Sequence, residues 1–444
     1  MIQNRTELRR SGVHGVALDC LEAAITAAEP ARATRDAVTL EGDTLTIGAE
    51  RFDLASYDDV LIVGGGKAAG GVTRALESIL GDRITGGRIV TKHPEETERV
   101  QSVVGDHPLP SATNVEAMGS LRQLVTAADE DTLVCCVVTG GASALLTAPA
   151  GDLTVDDLQE ATDRLLRGGV PIEAINTVRK HCSESKGGRL AREAAPATVV
   201  GLLVSDVVGD DLGAIGSGPT VPDDSTFADA LAVFEQYDVT PPEAVAAHLE
   251  AGAAGEYAET PTADDPALAA VSNVLISSNR TALDAAAATI DDSYTPLILT
   301  SRLRGEARDV ATTLVSIAEE IGATGTPVEP PAVLLAGGET TVSVTGDGGS
   351  GGPNQELALS AALELTDDTV VAAVDTDGED GSSDVAGAIV DATTVTDDEL
   401  ARAALADNDA GSALGAAGAT IQTGPTGTNV NDVVVLVVPA AGDE

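Results

Sequence analysis

The feature that most constrains the fold is a repeated pattern of an apolar run, a glycine-rich turn and an amphipathic stretch. It begins at Val60–Val63, where VLIV precedes GGG, and it recurs at Leu133–Val138, before the glycine pair of TGGASALL. Short apolar runs bounded by glycine are typical of strands buried on both faces, and their alternation with amphipathic stretches indicates βα units around a parallel sheet. The sequence therefore predicts an α/β fold. Further strands are predicted at Val199–Val204, Val274–Ile276, Leu297–Leu299, Val333–Leu335, Val370–Val374 and Val433–Val438.

One stretch without periodicity interrupts this pattern. Ala251–Ala270 combines Gly, Pro and acidic residues, a composition typical of a linker. We therefore expect two α/β domains, a Rossmann-like first domain with a mainly parallel sheet over residues 1–255 and a second domain over residues 271–444. A chain of 444 residues has the length of two or more ordinary domains.

Charge excludes several classes of partner. The chain has 25 Lys and Arg against 71 Asp and Glu, a net charge of −46 that repels phosphate backbones and anionic lipid head groups. We therefore expect neither nucleic-acid nor membrane binding. Only four of the basic residues are lysines, and a carboxylate-rich, lysine-poor surface suits high ionic strength, where the Debye length is only ~3 Å at 1 M. A cytoplasmic protein of a salt-adapted, halophilic cell is the expectation.

The first glycine-rich turn ends in a lysine. Gly65, Gly66 and Lys67 follow a predicted strand and open a helix, a geometry that aims backbone N–H groups at a phosphate or carboxylate. The alternative is that the glycines only permit tight packing of the strand and the helix. The turn also matches the dinucleotide pattern G-x-G-x-x-A, but the next strand ends in Thr91 and Lys92, where an NAD enzyme usually places a carboxylate.

Two further segments favour an anionic ligand. Ser143 follows a strand and a glycine pair, where its hydroxyl either caps the helix or holds a ligand oxygen. The segment Ile175–Ala191 concentrates basic residues in an acidic chain, which suits an anionic substrate, although a solvated helix face is the alternative. These residues are Arg179, Lys180, Lys186 and Arg189.

Two turns follow the next predicted strand. Asp206 lies just past Val199–Val204, at the carboxyl edge where open α/β sheets bind ligands. Ser217 lies in the glycine-rich run GAIGSGPTVP, another candidate anion-binding turn.

The second half of the chain offers a glycine loop and an acidic run. Gly346–Glu356 is either a flexible connector or a loop that closes over phosphates at a helix entry. Asp375–Gly381, DTDGEDG, fails the EF-hand template because Asp380 stands where Gly is required. Mg²⁺ binding shared with substrate phosphates is one interpretation of this run, and a solvated acidic turn is the other.

Together these motifs resemble the class II glycerate 2-kinases, whose C-terminal part is called the MOFRL domain. Nine of them occur in the family's order: GGGKAA (64–69), DHPLP (106–110), TGGASALL (139–146), NTVRKHCSESKGGRLA (176–191), SDVVGDD (205–211), GSGPTVPD (216–223), GGETTV (337–342), DTDGEDGSSDVAGA (375–388) and GPTGTNVNDV (424–433).

The resemblance implies ATP-dependent phosphorylation of D-glycerate at its 2-hydroxyl to 2-phosphoglycerate, with Mg²⁺, in a cleft between two α/β domains. It implies catalytic roles for Lys67 and Asp206. The implied substrate or phosphate ligands are Gly65, Gly66, Ser143, Asn176, Arg179, Lys186 and Ser217. The implied nucleotide-binding residues are Gly337, Gly338, Glu339, Asn354 and Gln355, and the implied metal ligands are Asp375 and Asp377.

One position departs from the family pattern. Many members carry Arg in the sequence GGRNQE, whereas this chain has Pro353, so either another basic residue supplies the charge or this branch does without it.

Two other functions stay open at this point: an NAD(P)H-dependent hydroxypyruvate reductase, and a non-catalytic sugar-acid or nucleotide-binding protein. The sequence also leaves the oligomeric state open, a homo-oligomer included.

Overall fold

The computed structural model describes residues 1–344 and 348–440, so the start of the predicted loop Gly346–Glu356 lies outside the described residues. The described strands are β1 (Val38–Glu41), β2 (Thr44–Ile47), β3 (Glu50–Asp53), β4 (Asp59–Gly65), β5 (Gly86–Thr91), β6 (Gln101–Val104), β7 (Thr132–Val138), β8 (Thr198–Val204), β9 (Val271–Ser277), β10 (Thr295–Leu303), β11 (Ala332–Gly338), β12 (Val370–Asp375), β13 (Gly387–Val390), β14 (Thr420–Ile421) and β15 (Asp432–Val438).

The described helices are α1 (Arg5–Leu8), α2 (Gly12–Ala28), α3 (Pro30–Ala37), α4 (Ala69–Leu80), α5 (Ala112–Thr126), α6 (Ala142–Leu145), α7 (Val155–Arg167), α8 (Ile172–His181), α9 (Arg189–Ala194), α10 (Phe227–Gln236), α11 (Glu243–Ala253), α12 (Asn279–Thr289), α13 (Ala307–Thr324), α14 (Pro353–Glu364), α15 (Asp398–Ala406) and α16 (Ala410–Ala416). None of them is both long and apolar enough to span a bilayer.

The chain forms two compact units. The first unit comprises Pro30–Ser205 and Asp210–Ile276, and the second comprises Met1–Glu29, Asp206–Gly209 and the chain from Ser277 onward.

The first unit is built on a six-stranded sheet in the order β6-β5-β4-β7-β8-β9. The pairs β6–β5, β5–β4, β4–β7 and β7–β8 are parallel. Every residue of β7 is buried, as expected for a central strand covered on both faces. Strands β1, β2 and β3 form a separate antiparallel sheet in this unit. The predicted α/β class with a mainly parallel first sheet is confirmed.

The second unit contains a mixed six-stranded sheet in the order β10-β11-β15-β12-β13-β14. Only β10 and β11 run parallel, and the other described pairs are antiparallel. Helices α13 and α14 pack on this sheet through buried alanine, leucine and valine side chains.

The division into units differs from the predicted domain boundaries in two places. The first 29 residues belong to the second unit, because the apolar side of α2, including Leu18, Leu21 and Ile25, packs against α12, β12 and β15. The predicted linker Ala251–Ala270 belongs to the first unit: Thr260 is buried there and donates a hydrogen bond to the Asp223 carboxylate at 3.0 Å.

Candidate functional site

The two glycine-rich turns of the first unit are tied to each other. The N–H of Lys67 donates to the carbonyl of Gly140 at 2.8 Å, and the N–H of Ala68 donates to Thr139 Oγ1 at 3.1 Å. Gly66 has φ +137°, and a Cβ there would lie 2.0 Å from Thr139 Oγ1. Because these amides are already bonded within the protein, an anion at this turn meets the Lys67 side chain rather than a free backbone cradle.

A histidine accompanies Lys67 at this point. A Cβ on Gly141 would lie 3.1 Å from both Lys67 Cγ and His107 Cδ2, so the two side chains flank the same glycine. Burial first, and then the positive charges of Lys67 and Lys92, hold the pKa of His107 below its ordinary value. His107 was not among the predicted site residues, although it lies within the family motif DHPLP.

Four of the predicted substrate ligands form one hydrogen-bonded chain. Ser143 Oγ lies 2.8 Å from Ser217 Oγ, which donates to Asn176 Oδ1 at 3.1 Å, and Arg179 Nη1 lies 3.4 Å from the same amide oxygen. The turn that holds Ser217 has φ +59°, +62° and +64° at residues 216–218. A serine in this left-handed region is strained, and such strain is found where a side chain must be aimed at a site.

Lys186 is a buried cation without a carboxylate partner among the described residues. Its side chain is 4% exposed, and Nζ donates to the carbonyls of Ser143 at 2.7 Å and Leu146 at 3.3 Å. Burial, and then the charge of Arg179, lower the pKa of Lys186 to about 7. Burial also lowers the pKa of Arg179. A buried cation and a partly buried cation that are neighbours and lack a described carboxylate partner suit an anionic ligand.

The basic cluster of the sequence therefore divides into two parts. Lys180 pairs with Asp223 at 3.0 Å, and Arg189 donates to the carbonyl of Ala258 at 3.1 Å, so both of these side chains support the fold. Arg179 and Lys186 instead line a pocket of about 260 Å³ together with Ser143 and His107.

The second unit contains Asp206 and Glu339. Partial desolvation, and then the negative charge of Asp206, raise the pKa of Glu339. The segment that carries Asp206 is held by two arginines at the end of β10: Arg304 Nη2 donates to the carbonyl of Val208 at 3.2 Å, and Arg302 Nη2 lies 3.4 Å from that of Gly209. The sequence analysis did not single out either arginine.

The predicted nucleotide-binding glycines lie at the end of β11. Gly338 has φ +145°, and a Cβ there would lie 2.3 Å from the backbone nitrogen of Leu303. A Cβ on Gly337 would lie 2.1 Å from Asn279 Oδ1. The N–H of Glu339 donates to the carbonyl of Leu303 at 3.0 Å. The glycines thus permit a close approach of β10 and α12, and they leave the Glu339 side chain available to a ligand.

The start of α14 is occupied by an internal carboxylate. Asp380 accepts hydrogen bonds from the backbone N–H and side-chain amide of Asn354, at 3.0 and 3.2 Å, and from the same two groups of Gln355, both at 2.8 Å. The N–H groups that the sequence analysis offered to a nucleotide phosphate therefore bind Asp380. Glu356 is held by Arg308 and Asn408.

Two carboxylates face each other across neighbouring strands. Asp375 on β12 pairs in register with Asp432 on β15, and burial raises the pKa of both. The negative charge of Asp377 raises the pKa of Asp375 further. Asn354 Nδ2 donates to Asp432 Oδ1 at 2.7 Å, whereas the buried Asn354 Oδ1 has no hydrogen-bond partner. Across residues 1–344 and 348–440, no group of three or more His, Cys, Asp or Glu side chains is preformed around a metal ion.

Comparison with known proteins identifies the family of the chain. Residues 16–250 match a family described as "Domain of unknown function (DUF4147)", and residues 332–432 match the MOFRL family. The chain is 40% identical to a glycerate 2-kinase of Pyrococcus horikoshii over 96% of this chain and 97% of that protein. It is 36% identical to a D-glycerate 2-kinase of Thermotoga maritima over 88% of this chain and 93% of that one. The crystal structure of a Thermotoga maritima glycerate kinase superposes with a TM-score of 0.84 at 35% identity, covering 96% of this chain and 99% of that chain.

The buried charge of Lys186 gives a testable pH dependence of stability. Below about pH 7 the ammonium is charged in both the folded and the unfolded chain, so the folded state bears the full cost of burying it. Between about 7 and the ordinary lysine value of 10.5, only the unfolded chain holds the proton, and this contribution to stability therefore rises with pH.

We expect Lys186→Met to remove this rise. The measurement is chemical denaturation of both proteins at several pH values. The free energy of unfolding of the wild type minus that of the variant then gives the contribution of Lys186 at each pH. Lys92→Met, at an exposed lysine, is the matched control and leaves the slope in place. The same pH slope in wild type and Lys186→Met would contradict the account.

Proposed function

Since the chain belongs to the glycerate 2-kinase family that combines a DUF4147 domain with a MOFRL domain, we propose that it transfers the γ-phosphoryl group of ATP to the 2-hydroxyl of D-glycerate, giving 2-phosphoglycerate and ADP. The observation that carries this proposal is a pair of cations, the partly buried Arg179 and the buried Lys186, which line a pocket without a carboxylate partner among the described residues. Phosphoryl transfer depends on positioning and on neutralising negative charge, and it needs no covalent nucleophile.

The first unit would bind the acid. Arg179 and Lys186 would hold anionic oxygens of D-glycerate, and the hydroxyl of Ser143 would bind a further oxygen. Ser217 and Asn176 would position that hydroxyl through the chain Ser143–Ser217–Asn176.

Lys67 would act at the mouth of the pocket. Its exposed ammonium would neutralise the phosphoryl group in transfer, and Gly65 and Gly66 would hold the turn that presents it. Such a cation contributes most where negative charge develops in the transition state.

The second unit would contribute carboxylates. Asp206 would orient the 2-hydroxyl or bind Mg²⁺, and Glu339, at the end of the Gly337–Gly338 strand, would contact the nucleotide. Asn354 and Gln355 would act through Asp380, whose carboxylate they hold in place.

Many family members carry an arginine where this chain has Pro353, and Arg302 and Arg304 would supply the positive charge of that missing arginine. Each guanidinium is anchored by one backbone carbonyl and keeps other N–H donors for phosphate oxygens.

The acidic groups of the second unit fit a divalent cation. Asp375 and Asp432 repel each other in a buried position, and Asn354 Oδ1 is a buried oxygen without a partner. Asp375 and Asp377 would hold Mg²⁺, which needs only one or two protein carboxylates when phosphates and water complete its shell. The bound ion would neutralise charge on the ATP phosphates.

The setting of the enzyme is also part of the proposal. Its substrate is a small molecule, and its net charge of −46 supports a cytoplasmic location in a salt-rich cell without nucleic-acid or membrane partners. A homo-oligomer stays a prediction.

The activity is tested by incubating the full chain with D-glycerate, ATP and Mg²⁺ at high salt and identifying ADP and 2-phosphoglycerate. We expect Lys67→Ala to lower kcat/KM about 100-fold or more, because a cation that stabilises the transition state is lost. Arg51→Ala, on β3, is the control with unchanged kinetics. NADH oxidation with hydroxypyruvate and no release of ADP would contradict the kinase assignment, and wild-type turnover of Lys67→Ala would contradict the role of that lysine.

The metal site is tested by thermal unfolding with and without Mg²⁺. Asp375→Asn removes one of two opposed carboxylates, so we expect its metal-free Tm to exceed that of the wild type by about 2–4 °C, and the increase in Tm that Mg²⁺ produces to be lost. Glu379→Gln changes an exposed carboxylate of the same turn and should respond to Mg²⁺ as the wild type does. An undiminished Mg²⁺ response in Asp375→Asn would place the ion elsewhere.

A further inference from the structure

The pocket of the first unit has walls of two kinds. Its lining includes the two cations Arg179 and Lys186 with Ser143, and it also includes the aliphatic side chains of Leu158, Leu165 and Val178. The pocket is therefore amphipathic.

No Asp or Glu lines this pocket within the described part of the chain, although 71 of the 444 residues are acidic. Lys186 is buried, and its hydrogen-bond acceptors are two neutral carbonyls. A ligand that fits must therefore carry an anionic group that binds to Arg179 and Lys186, and it must carry no positively charged group.

The aliphatic surface formed by Leu158, Leu165 and Val178 has no matching apolar group in D-glycerate. Beyond its carboxylate, glycerate has two carbons, and each of them carries a hydroxyl. Next to Leu158, Leu165 and Val178, the 3-hydroxyl would lose its water without gaining a hydrogen bond from these side chains. The volume of about 260 Å³ is close to the ~300 Å³ at which pockets begin to hold much larger ligands than a three-carbon acid.

One exposed side chain of the lining is apolar as well. Leu109 lines the pocket and yet is 61% exposed, one of the few large hydrophobic side chains on the surface of this acidic protein. A ligand with an aliphatic group would cover this surface, whereas glycerate would leave it in water.

We propose that this pocket also takes D-2-hydroxy acids that carry an aliphatic substituent on C3, and that the enzyme phosphorylates them. The carboxylate binds at Arg179 and Lys186, and the substituent lies against Leu158, Leu165 and Val178. In the reaction the 2-hydroxyl oxygen bonds to the γ-phosphorus of ATP, the bond to the β,γ-bridging oxygen breaks, ADP leaves with that electron pair, and the hydroxyl proton passes to solvent. The activity rests on the proposed kinase function, but the binding of the acid does not.

The test uses D-2-hydroxy-4-methylpentanoate as the probe, with D-glycerate in parallel. Binding to the full chain is measured by calorimetry, and turnover by ADP release at high salt. The filling variant is Thr162→Met, because Thr162 lines the pocket on α7, next to the aliphatic wall. Leu166→Met is the control on the same helix, since Leu166 is 57% exposed and outside the lining.

We expect the wild type to bind and phosphorylate the aliphatic acid. Thr162→Met should raise KM and Kd for this acid about tenfold more than for D-glycerate, a difference of about 1.4 kcal/mol, and Leu166→Met should change neither. In a chain that turns over D-glycerate, failure to bind the aliphatic acid would overturn the inference, as would binding of that acid without its phosphorylation. Binding that Thr162→Met leaves unchanged would show a site elsewhere and overturn it too. Binding that this variant weakens, in a chain that phosphorylates neither acid, would support the pocket assignment and contradict the kinase function instead.

Discussion

The site of the first unit depends on two positive charges that the protein itself leaves uncompensated. Burying an unpaired charge is expensive, and Lys186 is buried next to the partly buried Arg179 in a chain that has ample carboxylates to pair with them. Lys180, one residue from Arg179, receives such a partner in Asp223. The absence of a described carboxylate at Lys186 is therefore a local property of the pocket, and the anionic substrate of the proposed reaction would relieve the cost on binding.

The second unit shows the opposite imbalance. Asp375 and Asp432 face each other on adjacent strands, and burial shifts both pKa values upward, toward the protonated form. A bound cation would relieve this repulsion, as a bound anion would relieve the charge of Lys186. A glycerate kinase needs a positively charged site for the acid and also a cation that screens the phosphates of ATP. Under the proposed function, the acid would neutralise the positive charge of the first unit, and the metal ion would neutralise the negative charge of the second.

The sequence predicted the strands of the two sheets, but it did not predict the hydrogen bonds that the candidate site residues make within the protein. Runs such as Val199–Val204 and Val433–Val438 became strands because their apolar side chains must be covered on both faces. The concentration of basic residues also located Arg179 and Lys186, since cations are scarce in this chain. Helix α2 was not predicted, and the partner of its apolar side, the sheet of the second unit, begins more than 250 residues later in the chain.

The roles of the glycine turns could not be predicted for a related reason. A turn such as Gly64–Gly66 offers backbone N–H groups in sequence, but whether they are free depends on distant acceptors. Here Gly140 binds the amide of Lys67, and Asp380 binds those of Asn354 and Gln355.

The central claim, that Lys186 awaits an anion, is tested most directly by the pKa of its ammonium, measured by nitrogen-15 NMR on lysine-labelled protein, where four lysines give four signals. The account predicts a pKa near 7 in the free protein, as burial next to Arg179 requires, and a clear rise when D-glycerate is added; a pKa that D-glycerate does not change would contradict it.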